Sequence, residues 1–294
     1  MLRLRFPLLI ALLAVTACGG GGSDEDTAAL TATSGSEIGS IAIDPADGTL
    51  LAGSGPVFYR VPPGAKAPET VTGALKTAKG TGMLTRDVVV RFSGPGAIVA
   101  SGHSSDASLP PVLGLVRSTD LGENWEPISG LAKADYHEIE IVGDRIYALR
   151  NEEPGMILSS SDGGKTFKSI EAPSAGVPID VAVNPGDPSH WAVSNDQGVF
   201  ISKNEGASWR QRDPIFGARI AWGAPDGLYS AGKDGKVKRS SDGGATWAEV
   251  GTIGSGPREF IVTPKGELYA SVTGGEIRRS TDGGATWTKL ISLS

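Results

Sequence analysis

One eight-residue pattern recurs five times along this chain at nearly constant spacing, and it restricts the fold more than any other feature. Ser118-Thr-Asp120-Leu-Gly122-Glu-Asn-Trp125 is followed by Ser160-Ser-Asp162-Gly-Gly164-Lys-Thr-Phe167 and Ser202-Lys-Asn204-Glu-Gly206-Ala-Ser-Trp209. Ser240-Ser-Asp242-Gly-Gly244-Ala-Thr-Trp247 and Ser280-Thr-Asp282-Gly-Gly284-Ala-Thr-Trp287 complete the series. The third residue falls at 120, 162, 204, 242 and 282, so successive steps are 42, 42, 38 and 40 residues. A period of that size marks stacked copies of one supersecondary unit.

Ahead of each match lies a second echo: Ile146-Tyr-Ala148, His190-Trp-Ala192, Leu228-Tyr-Ser230 and Leu268-Tyr-Ala270. Before each echo is a short apolar run: Ile139–Val142, Ile179–Val183, Ile220–Trp222 and Phe260–Val262. Each unit thus reads as four short strands joined by Gly/Asp/Pro turns, the content of a propeller blade. Gly 42 in 294 residues suits so many tight turns. Two further units are irregular. Ile38 to Lys79 repeats the early strands but lacks the pattern near Val57 to Pro63, and Val88 to Leu131 carries the pattern with extra residues from Gly102 to Leu115. The chain is therefore expected to be all-β, a propeller of about six four-stranded blades, with seven as the alternative count. From 38 to the end, six units average about 43 residues and seven about 37, and the observed steps favour six. No strand is seen to be exchanged to close the ring, unless Ala28 to Thr33 supplies one.

The pattern resembles the Asp-box, or BNR repeat, found in sialidases, sortilin-type receptors, xyloglucan-degrading enzymes and photosystem II stability/assembly factors. That resemblance implies a hairpin between the outer two strands of each blade. The residue chemistry agrees. A short acceptor side chain (Asp120, Asp162, Asn204, Asp242, Asp282) binds nearby backbone N–H groups in a tight turn, and glycine supplies the positive φ. The ring (Trp125, Phe167, Trp209, Trp247, Trp287) packs beneath the turn. Carboxylates about 40 residues apart fall on different blades, so these are structural positions, with no metal or cofactor expected.

Residues 1–18 carry Arg3 and Arg5, an apolar run from Leu8 to Val15, and then Val15-Thr-Ala-Cys18. This is the layout of a secretory signal peptide. The run is too short for a permanent membrane span. Val-Thr-Ala-Cys resembles the lipobox of bacterial lipoproteins, which implies that Cys18, the only cysteine of the chain, is acylated and becomes the new N-terminus. Residues 19–36 would then be a flexible Gly/Ser/Thr/Asp-rich tether and 37–294 one domain. The protein is thus expected outside the cytoplasm, lipid-anchored to the cell membrane or outer membrane of a bacterium.

Lys+Arg 27 against Asp+Glu 33 gives a net charge of −6. Without a basic cluster this disfavours nucleic acid as a partner. One cysteine excludes an internal disulfide framework. Tyr59-Arg-Val-Pro62 is similar to the arginine motif of sialidases but follows Asp47-Gly-Thr-Leu-Leu-Ala52, where the sialidase order would have it precede. The residues expected after Ala52 are replaced by Gly-Ser-Gly, so sialidase chemistry is not expected.

The face opposite the repeated turns is the expected binding face, because it holds the distinctive residues. His103 and Asp106 lie in the long insertion, Asp135 and His137 lead into an inner strand, and Arg86, Arg219 and Arg258 lead into others. His103 and His137 are expected near each other, where with Asp106 or Asp135 they could bind a metal or move a proton. Ala100-Ser-Gly-His103 and Leu113-Gly-Leu-Val-Arg-Ser-Thr-Asp120 are similar to bacterial extracytoplasmic Asp-box proteins of the group labelled sialidase-like or glycosyl-hydrolase-like. Fold alone does not give function. The expectation is a non-catalytic binder of an envelope protein or glycan, with a glycoside hydrolase as the alternative.

Overall fold

A computed structural model describes residues 37–293 except 56, 84, 85, 105, 151–154 and 174–175, and at 83, 86 and 87 it describes the backbone alone. Cys18, the 19–36 tether and the 28–33 segment lie outside the described residues. Among the described residues there are strands and turns but no helix. The strands form six sheets, five of four strands and one of six.

Each four-stranded sheet takes its strands in chain order, all antiparallel, so every blade is one continuous piece of chain. The innermost strands, Ile38–Ile43, Arg86–Gly94, Glu138–Val142, Pro178–Val183, Arg219–Ala224 and Glu259–Val262, define blades 1 to 6. Each packs against the next, and the last lies beside the first. The ring closes between blades 6 and 1 with no exchanged strand among the described residues.

Alternating inward residues pack in six apolar clusters, one at each junction between neighbouring blades. Polar bonds supplement them. Ser40 Oγ accepts the Val90 N–H of the next blade at 2.9 Å, and Ser271 Oγ donates to Ile38 O across the closing seam at 3.1 Å.

Blade 2 departs from the expected unit. The first unit ends at Val71, not Lys79, because Ala74–Thr77 and Gly80–Met83 form a hairpin that belongs to the second blade. Ala74–Thr77 pairs in parallel with Asn124–Ser129, making that sheet six-stranded. The insertion holds the hairpin in place. Ser108 Oγ donates to Thr81 O at 3.2 Å, and a Cβ added to Gly82 would lie 2.5 Å from Ser108 Oγ and 2.6 Å from Leu109 Cγ.

The repeated turns join third and fourth strands. In the blade 5 copy, Ser240 Oγ donates to Asp242 Oδ1 at 2.8 Å and accepts the Gly244 N–H at 2.7 Å. Asp242 in turn accepts the Thr246 N–H at 2.9 Å and its hydroxyl at 2.6 Å. The blade 2 copy substitutes Asn124 for threonine, and the blade 4 copy uses Asn204 as acceptor. The glycines at 122, 164, 206, 244 and 284 all have positive φ, which disfavours any side chain there. The rings do not all disappear into their own blade. Trp125 is buried, whereas Phe167, Trp209, Trp247 and Trp287 are half-buried. Each is wedged against the preceding blade, as Trp125 is against Phe58 and Val71.

Candidate functional site

The inner strands surround an axial channel whose middle is filled by charge. Arg91 Nη2 of blade 2 donates to Glu138 Oε1 of blade 3 and to Glu259 Oε1 of blade 6, each at 2.5 Å. Arg219 of blade 5 reaches Glu138 Oε2 at 3.4 Å. Asp180 of blade 4 accepts the Val181 N–H at 2.8 Å and the Ile220 N–H at 3.0 Å. Glu138, Asp180 and Glu259 are buried, and Glu140, two residues along the blade 3 strand, is half-buried.

Four carboxylates thus share the channel with two guanidinium groups. Burial pushes the Glu140 carboxyl up to about 8 against the pull of Arg91. It pushes Glu259 up to about 7 despite its contact with Arg91. Asp180 is raised by burial and by Glu138 beside it. The physical cause is common to all: loss of water disfavours the anion, and too few cations are present to compensate.

Beyond Arg91 the channel widens into a cavity of 520 Å³. Its floor is Arg91, Glu140 and Asp180, and its walls include Phe92, Ile141, Trp222, Phe260 and Val262. These residues sit at the trailing ends of the inner strands, where each turns back into its second strand. Antiparallel geometry puts the repeated turns on that same side. The cavity therefore opens at the mouth opposite to the one holding the distinctive residues of the sequence.

At that other mouth, three of the expected residues meet. His103 Nε2 and His137 Nε2 each lie 3.1 Å from Asp135 Oδ2. Asp106 is not among them: its Oδ1 accepts the Ser108 N–H and hydroxyl, within the insertion. Arg219 is drawn into the channel by Glu138, and Arg258 pairs with Glu37. Arg86 is the strand partner of His103. Among the described residues no group of three or more His, Cys, Asp or Glu side chains is arranged to hold a metal ion. Arg60 lies on the third strand of blade 1, away from the channel lining, bonded to Glu69 and Glu123.

Glu138, Glu140, Asp180 and Glu259 were not among the expected site residues. A signal was present: an acidic residue falls inside or at the start of three otherwise apolar inner strands, where a charge is normally excluded. Arg91 breaks the apolar run Val88-Val-Val90 in the same way.

No family model matches the chain, and no curated protein matches it in sequence. Solved structures do match in shape. YCF48 from Cyanidioschyzon merolae superposes with a TM-score of 0.53 at 18% identity, over 86% of this chain and 85% of that one. A YCF48 bound to D1 peptide gives 0.51 at 17% identity, over 86% and 82%. An ancestral GH74 enzyme gives 0.57 at 16% identity over 88% of this chain, which spans 39% of that enzyme. At these identities the likeness is one of fold, and the fold is a β-propeller.

Proposed function

We propose that this propeller is a non-catalytic binding module that takes a segment of a protein partner into its axial cavity. It is displayed outside the cytoplasm on a lipid anchor at Cys18. The observation that carries the reading is the cavity itself: an apolar-walled, concave site with a few polar groups at its floor, the usual form of a ligand site. A propeller of similar fold, YCF48, has been solved with a D1 peptide bound, which supports a peptide as the kind of guest this architecture accepts. The partner is an envelope protein, with an envelope glycan as the other candidate.

The test is photocrosslinking in intact cells from a benzoylphenylalanine placed at Val142 on the cavity wall. Recovery of one stoichiometric protein is the expected result. Crosslinks to no protein, with the chain present in the membrane fraction, would defeat the reading.

One observation favours glycoside hydrolysis as a second reading. A carboxyl group held at about 8, as at Glu140, is protonated at neutral pH and suits a general acid. Its signature would be turnover of aryl glycosides that Glu140→Gln abolishes.

A further inference from the structure

We infer that the axial cavity accepts a cationic group, the side chain of a lysine or arginine carried on an otherwise uncharged partner segment, and that Glu140 is its counter-ion. The inference rests on the binding-module reading and adds the chemistry of the guest.

The cavity has the wrong balance for an anion. Its one floor cation, Arg91, is already spanned by Glu138 and Glu259. Arg219 is likewise committed to Glu138. Lys265, the other cation of the lining, stands exposed at the rim. An entering carboxylate or phosphate would thus meet four buried or half-buried acidic groups and no guanidinium free to receive it.

A cation meets the opposite situation. Of the acidic lining residues, Asp44 is held by the Ala46 and Gly96 amides, and Glu267 by Arg279 and the Tyr269 hydroxyl. Asp180 has both oxygens on the Val181 and Ile220 amides. Glu140 is left facing the cavity with the Val183 amide as its backbone partner and Arg91, Glu138 and Glu259 around it. The walls of Phe92, Ile141, Trp222 and Phe260 offer apolar surface to the aliphatic stem that a lysine or arginine brings.

Proton linkage follows. Burial holds the Glu140 carboxyl at about 8 against the pull of Arg91, so its anion is short of positive charge. A guest that stays charged supplies it, since lysine and arginine keep their proton up to about pH 10. Binding then expels a proton from Glu140 at neutral pH, and affinity climbs as the pH rises toward 8.

The experiment uses the full chain and three blocked pentapeptides, Gly-Ala-X-Ala-Gly with X as arginine, citrulline or glutamate. Calorimetry in buffers of different ionisation enthalpy reads affinity and proton release together. The arginine peptide is expected to bind at least about tenfold more tightly than its neutral citrulline twin, with proton release and rising affinity from pH 6 to 8. Glu140→Gln should bring the two to equal affinity, whereas Asp135→Asn at the other mouth should leave both unchanged. Equal binding of arginine and citrulline, tighter binding of the glutamate peptide, or no arginine binding at about 1 mM would overturn the inference. Should Glu140→Gln fail to fold, the peptide comparison on the natural chain decides. A partner crosslinked from Val142 but not displaced by the arginine peptide would keep the binding module and remove the cationic guest.

Discussion

Arg91 and Glu259 stand on the innermost strands of blades 2 and 6 and meet across the channel, Nη2 to Oε1 at 2.5 Å. The same nitrogen holds Glu138 of blade 3, so one guanidinium joins three blades that are not all neighbours. The repeat pattern holds each blade and its junctions together, and this contact ties blades across the axis.

Arg91→Leu should therefore destabilise the fold by about 3–5 kcal/mol at neutral pH, because two buried carboxylates lose their cation. The penalty should shrink as the pH falls below about 7, where Glu259 takes up its proton. Urea melts at pH 5 and pH 7.5 check it. An equal loss at both pH values would show that packing and not charge is at work.

Stability should fall as the pH rises from about 5 to 8. Glu140 and Glu259 hold protons in the folded state at about 8 and about 7, well above their unfolded values. Raised carboxyls contribute their full stabilisation below the unfolded pKa and lose it as pH climbs through the folded one. Glu140→Gln should flatten that slope in thermal melts, and an unchanged slope would refute the assignment. The opposite limb lies in acid. Asp162 and Asp242 are held below the usual carboxylate range by the Thr166 and Thr246 hydroxyls and amides, with Ser160 and Ser240 adding to the effect. Their contribution is present above about pH 4 and disappears as pH falls below it.

Trp125→Ala should cost about 3–5 kcal/mol, the range for truncating a buried tryptophan. Trp247→Ala, at a half-buried ring, should cost less. Asp242→Ala should lower the melting temperature by less than Trp125→Ala. Equal melting points for all three variants and the natural chain would mean that the repeated turns do not hold the blades.

Cys18→Ser should leave the precursor uncleaved or release the protein from the membrane fraction, since acylation at that residue is the anchor proposed for it. Retention of a processed mutant in washed membranes would refute the anchor.

The blade is legible in the amino-acid sequence alone. The pattern Ser-x-Asp-x-Gly-x-x-Trp fixes a turn through bonds between residues two to four apart, so its meaning is local and legible in one dimension. The inner and second strands were also readable, since Ile139–Val142 and Ile146–Ala148 announce themselves by apolar content. The number of blades followed from the spacing of those local signals.

Tertiary structure decided what happens where strands far apart in sequence converge. His103 and His137 were legible as neighbours because they are two of only three histidines and stand on adjacent blades, whereas the choice of Asp135 over Asp106 between them came from the fold. Glu138, Asp180, Arg219 and Glu259 were not legible as a network, because their partners lie 40 or more residues away and only closure of the ring brings them together. The same holds for the 74–83 hairpin, whose sequence is strand-like but whose choice of blade 2 over blade 1 depends on Gly82 receiving the folded insertion. The mouth that holds the cavity was decided last of all. It is lined by the trailing ends of inner strands far apart in sequence, which only closure of the ring brings around one axis.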